Sequence, residues 1–124
     1  MARDFASRQR AERRGHKGET LAVWWLRLKG YRIIARRFKT KLGEVDIIAR
    51  KRDVVAMVEV KARTTLLEAM DAVDHSTMRR IEAAGDLWLA KQRDHARLNI
   101  RYDLIAILPR KMPVHVESLF HARG

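Results

Sequence analysis

The 124 residues contain no cysteine, only two prolines and six glycines. Without thiols the chain has no disulfide and no zinc-thiolate site, which fits a reducing compartment. Long apolar runs are missing as well. None approaches the ~18 residues that a membrane helix needs. The opening stretch MARDFASRQRAERRGHKG lacks the continuous apolar core of a signal peptide. A cytoplasmic chain without membrane insertion is the expectation. No internal repeat and no Walker, GxGxxG or nucleophile-elbow pattern occurs. The five histidines (His16, His75, His95, His115 and His121) show no paired ligand spacing and read as surface residues.

Negative charge is scarce too. Lys and Arg number 27 against 15 Asp and Glu, a formal charge of +12. Such a balance favours a polyanionic partner, nucleic acid first and an anionic membrane surface second. Residues 1–41 carry 13 of the basic side chains against Asp4, Glu12 and Glu19 alone. Residues 1–17 have few large apolar side chains and read as a basic flexible arm. Residues 18–120 then form one domain, with 121–124 as a tail. A chain of this length has room for one two-layer core.

Lys17 to Lys29 has helical spacing, and Gly30 closes it. Leu21, Trp24, Trp25 and Leu28 make one apolar stripe, while Ala22, Val23 and Leu26 make a second, so burial on two fronts is expected. Glu19 heads the second stripe. Its side chain either serves the helix dipole or points at a site. Tyr31–Phe38 and Arg101–Leu108 have strand composition, and Pro113 begins a short extended piece through Glu117. Asp103 shares a strand face with Ile105 and Ile107 and reads as a structural acid paired with an arginine. Asp74 or Ser76 caps a helix whose apolar stripe is Met78, Ile81, Ala84, Gly85, Trp88 and Leu89. A right-handed crossover through this helix makes the following strand parallel to its predecessor.

The centre of the chain is GEVDIIARKRDVVAMVEVKAR, Gly43 to Arg63. Two strands joined by a short basic loop form an antiparallel hairpin. Strand alternation places Glu59 and Lys61 on one face and Val58 and Val60 on the other. If opposed residue numbers sum to an odd total, Asp46 joins Glu59 and Lys61, and Val45, Ile47, Val58 and Val60 form one apolar face. Burial selects that register. Two acids and an ammonium then lie together on an apolar sheet, where charge needs partners or a hard cation such as Mg²⁺.

The strings Gly43-Glu44-Val45-Asp46-Ile47-Ile48 and Val58-Glu59-Val60-Lys61-Ala62-Arg63 resemble the PD-(D/E)xK nuclease core. With the Glu19 helix, the chain from about Gly18 to Leu108 is similar to the bacterial YraN-like family of uncharacterised, endonuclease-like proteins. The resemblance implies an α/β fold with a mixed central sheet flanked by helices, restriction-endonuclease-like. It implies hydrolysis of phosphodiester bonds in DNA, branched or damaged DNA included. Asp46, Glu59 and Glu19 would hold Mg²⁺ or Mn²⁺, and Lys61 would position the attacking water. Arg36, Arg37 and Arg63 would hold the nucleic-acid backbone. The family carries a lysine near position 77, where this chain has Thr77 followed by Arg79 and Arg80. Homodimers, frequent among nucleases of this core, are allowed. Two alternatives stand beside this reading: a non-catalytic nucleic-acid-binding module of the same fold, and a ribosome or membrane-surface accessory protein bound through the arm.

Overall fold

The computed structural model describes residues 18–120; the arm assigned to 1–17 and the tail 121–124 lie outside them. The described chain runs α1 (18–28), β1 (Arg32–Lys39), β2 (Glu44–Lys51), β3 (Val54–Ala62), α2 (Leu66–Asp71), α3 (His75–Ala90), a 3₁₀ turn (His95–Arg97), β4 (Asn99–Ile107) and β5 (Val114–Phe120). The five strands form one mixed sheet in sequence order. Only β3 and β4 run parallel, with Val54 beside Asn99 and Ala62 beside Ile107; the other pairs are antiparallel. The crossover through α2 and α3 supplies the length a parallel pair requires.

Helix ends follow their local chemistry. Gly30 adopts φ +94°, which lets Tyr31 N–H reach the Leu26 carbonyl and Gly30 N–H reach that of Arg27. This closes α1 by the two crossed bonds of a glycine C-cap. The Asp74 carboxylate accepts from Thr77 N–H at 2.8 Å, capping α3 as expected. Helix α2 falls between Arg63 and Asp74, where strand and helix patterning marks no element. Thr65 caps it by accepting from Glu68 N–H at 3.1 Å, so the spacing Thr65-x-x-Glu68 was its signal.

The expected two-layer core is a three-layer one. Strand β3 is VVAMV at its start, with no polar alternation, and both of its faces are covered. Val55 and Met57 pack with Ile81, Ala84 and Trp88 of α3. Ala56 and Val58 pack with Ala22, Val23 and Leu26 of α1. Helix α1 buries only that second stripe. Leu21, Trp24 and Leu28 stay 51%, 59% and 77% exposed, contrary to burial on two fronts. A helix lying over the outside of a three-layer sandwich has one neighbour, so one stripe is left uncovered.

Gly43 enters β2 against the backbone of α3. A Cβ there would lie 2.0 Å from the Arg80 carbonyl oxygen. Gly43→Ala is therefore expected to cost about 3 kcal/mol, because the helix must move away from the sheet. Urea unfolding should show a lower midpoint at unchanged slope; a midpoint equal to that of the wild type would contradict this packing. Among the described residues, no helix is long and apolar enough to cross a membrane.

Candidate active site

The hairpin takes the odd register, with Ile47 opposite Val58 and Ala49 opposite Ala56. The expected apolar face is not continuous, however. Ile47, Val58 and Val60 pack on the α1 side, whereas Val45 joins the core on the α3 side. The change of side falls where ladder pairing stops. The ladder between β2 and β3 ends at Ile47–Val58, and on β1 Arg37 adopts φ 52°. One residue beyond the last rung, Asp46 Oδ2 accepts from Val60 N–H at 2.8 Å. A side chain thereby replaces a backbone acceptor, which fixes the carboxylate against β3.

Glu59 and Lys61 follow on that strand, alternating with Val58 and Val60. Lys61 Nζ lies 3.3 Å from Glu59 Oε1. The Asp46 and Glu59 carboxyl groups lie near enough for each to shift the other's proton affinity. Beside them a crevice of about 120 Å³ is lined by Glu44, Glu59 and Lys61 from the sheet and by Thr77, Arg80 and Ile81 from α3. Asp46, Glu59 and Lys61 are thus gathered as the sequence implied. Arg80 reaches the same crevice, which its place off the apolar stripe of α3 allowed but did not specify.

Burial dominates the electrostatics. It pushes the Glu59 carboxyl up to about 8, the Asp46 charge adds to the rise, and Lys61 opposes it. Asp46 is also raised, by burial first and by the charge of Glu19, against the Val60 N–H, the Glu59 hydrogen bond and Lys61. Two carboxylates this close cannot both ionise cheaply. At neutral pH Glu59 retains a proton that a solvated glutamate would have lost. A divalent cation is the alternative relief.

Glu19 is buried on α1, near enough for its charge to act on Asp46. Arg37 Nε donates to its Oε2 at 3.2 Å, and Arg36 Nε stands 4.0 Å from Oε1. Oε1 is buried and accepts no hydrogen bond. Among the described residues, no group of three or more His, Asp or Glu side chains is arranged to hold a metal ion. Glu19 is therefore a neighbour of the Asp46–Glu59 pair and not gathered with it. Arg36 and Arg37 are turned toward Glu19. Arg63 is exposed beyond the end of β3, where its Nη1 donates to the Ala62 carbonyl at 2.8 Å.

A second charge cluster lies on the α1 side of the sheet. Asp103 is fully buried there and takes a bidentate contact from Arg101 (2.9 and 2.7 Å), a 2.7 Å bond with His115 Nε2 and a 3.0 Å bond from Ser118 N–H. Lys29 Nζ stands 2.6 Å from His115 Nδ1. An ammonium only donates, so Nδ1 accepts and Nε2–H donates to Asp103. His115 is 2% exposed at its side chain, which corrects its reading as a surface residue. Burial raises Asp103, but the His115 and Arg101 contacts outweigh it and hold the group below the usual carboxylate range. Asp103 carries its stabilisation at neutral pH and loses it only in acid, as pH falls through the depressed value. Asp103→Ala strands Arg101 and should destabilise by roughly 3–5 kcal/mol in urea unfolding. A loss as small as that of a surface substitution would show the cluster to be dispensable.

The fold and the site define a class: a mixed α/β domain with a half-buried aspartate, a buried glutamate and a lysine where the central strands part. The chain belongs to the uncharacterised protein family UPF0102, the YraN-like family, which matches residues 18–107. It is 66% identical over 117 residues to a UPF0102 protein of Chelativorans sp., covering 94% of each chain. Against a UPF0102 protein of Mesorhizobium japonicum it is 58% identical over 122 residues, 98% of each. A Bartonella tribocorum UPF0102 protein is 57% identical over 91% of this chain and 87% of its own.

Proposed function

We propose that the chain is a metal-dependent nuclease of the PD-(D/E)xK, restriction-endonuclease-like class, hydrolysing phosphodiester bonds in DNA. The observation that carries this reading is the grouping of Asp46, held by the Val60 N–H, with Glu59 and the Lys61 ammonium 3.3 Å from Glu59. A buried, mutually repelling oxygen pair suits a hard cation, since Mg²⁺ is commonly held by one or two carboxylates with water and substrate phosphate completing its shell. Asp46 and Glu59 would hold Mg²⁺ or Mn²⁺, with the spare Oε1 of Glu19 as a supporting acceptor. Such an ion supplies charge neutralisation at the phosphate and activates water.

The protein's own groups supply the rest. The Val60 N–H anchors one oxygen of Asp46 and leaves the other to serve a cation. Lys61 would donate to a phosphate oxygen and stabilise the charge that develops there. Arg80 and Arg63 flank this point from α3 and from the end of β3, as backbone contacts.

One observation favours a second reading, a non-catalytic nucleic-acid-binding module. Lys61 already pairs with Glu59, and Arg37 with Glu19, so both acids have cationic partners within the protein. A single assay separates the two. Supercoiled and four-way-junction DNA is incubated with Mn²⁺ and wild type, Asp46→Ala or Lys61→Ala. The nuclease reading expects nicking by wild type only. Binding without nicking supports the second reading, and nicking that survives both substitutions comes from a contaminant and overturns the first.

A further inference from the structure

A larger cavity of about 410 Å³ opens beyond the carboxyl ends of β3 and β4. Open α/β sheets bind ligands at this end of parallel strands, and the volume falls within the roughly 300–1,000 Å³ typical of small-ligand sites. Ala62, Ile107, Leu108 and Leu21 give it apolar walls, and Thr64 and Glu68 stand at its rim with Arg63. Flat apolar walls with a few donors and acceptors at the edge suit a heterocycle. A nucleobase can stack between the aliphatic walls while Glu68 accepts from an exocyclic amine and Arg63 or Thr64 donates to a ring acceptor.

Position supports the same ligand. Arg63, at the cavity rim, lies two residues past Lys61, so the cavity opens at the end of the strand that carries the charged cluster. Outside the cavity the apolar surface continues along α1 from Leu21 to Trp24, one turn on. Trp24 is exposed, and the Arg27 guanidinium lies 5.7 Å from the centre of its ring. Exposed aromatics interleaved with cations are stacking platforms for bases that have no partner strand.

We propose that this cavity is a nucleobase subsite that takes one unpaired base beside the phosphate held at Lys61, making locally unpaired or single-stranded nucleic acid the preferred substrate class. The inference rests on the nuclease reading of the neighbouring site and deepens it. A base paired within a duplex cannot enter the cavity without leaving its stack.

The test measures binding by fluorescence anisotropy, with Ca²⁺ in place of Mg²⁺ to suppress turnover. Three labelled duplexes are compared: fully paired, carrying one unpaired adenine, and carrying an abasic site at that position. Wild type should bind the unpaired adenine about tenfold more tightly than the paired duplex, the gain of one stacked base. The abasic duplex should lose that gain. Thr64→Trp, at an exposed rim position, should fill the cavity mouth and erase the preference while paired-duplex affinity stays unchanged. Leu21→Ser, half exposed, should weaken the preference in the same direction. Equal affinity for all three duplexes, or a preference that survives the abasic site or Thr64→Trp, overturns the subsite and leaves the nuclease reading standing. Binding to none of them overturns both.

Discussion

Glu59→Gln is expected to make the metal-free protein more stable at pH 8 than the wild type, by on the order of 10 °C in thermal midpoint, while sharply weakening Mn²⁺ binding. The sign follows from proton linkage. The Glu59 carboxyl titrates near 4.5 when unfolded and at about 8 when folded. Between these values the folded state holds the extra proton, so its stability falls as pH rises. Raising a pKa tenfold in proton affinity corresponds to about 1.4 kcal/mol, so the loss accumulates to roughly 3–5 kcal/mol near pH 8. Glutamine keeps the size of the side chain and an oxygen for Lys61 without that cost. Thermal scans in EDTA at pH 5, 6.5 and 8 should therefore show the two proteins diverging as pH increases. Parallel curves would mean that Glu59 is not strained in the fold. A residue whose removal stabilises the protein is one retained for a task other than stability.

The second large effect concerns Lys61. Lys61→Met should lower the cleavage rate about 10²–10³-fold, the usual consequence of deleting one donor to a charge that develops in the transition state. Its Mn²⁺ affinity should stay the same or rise, since a competing cation 3.3 Å from Glu59 has been removed. Asp46→Asn should instead lose cation binding and cleavage together. Single-turnover cleavage and calorimetric Mn²⁺ titration distinguish these patterns. A Lys61→Met protein that cleaves at the wild-type rate would remove the lysine from the chemistry.

Much of this site was legible in the sequence because period-two patterning and burial act together. The apolar run from Val54 to Val58, followed by Glu59-Val60-Lys61, favours the register that gathers the charged groups on one side of the hairpin, and that register is found. The crossover through α3 leaves β4 parallel to β3 as expected, and of the two cap candidates, Asp74 and Ser76, the structure uses Asp74.

The features that patterning missed depend on partners distant along the chain. Two apolar stripes on α1 were visible, but periodicity does not say which of them meets the sheet; the tryptophan-bearing stripe is the uncovered one. Val45 changes side because the Asp46 side chain takes a backbone bond, an event that alternation cannot anticipate. His115 reads as a lone polar residue until β5 is paired with β4. Only then does Asp103 meet it, across a register shift that also turns Ser118 N–H inward. Arg36 and Arg37 looked like a free basic edge, yet folding places them against Glu19.

Crystals soaked in Mn²⁺ and measured at a wavelength where manganese scatters anomalously test the central claim most directly. One anomalous peak per chain, beside the Asp46 and Glu59 carboxyls and absent from an Asp46→Asn crystal, is the expected result. No peak there at millimolar Mn²⁺ would contradict the cation site and the chemistry drawn from it.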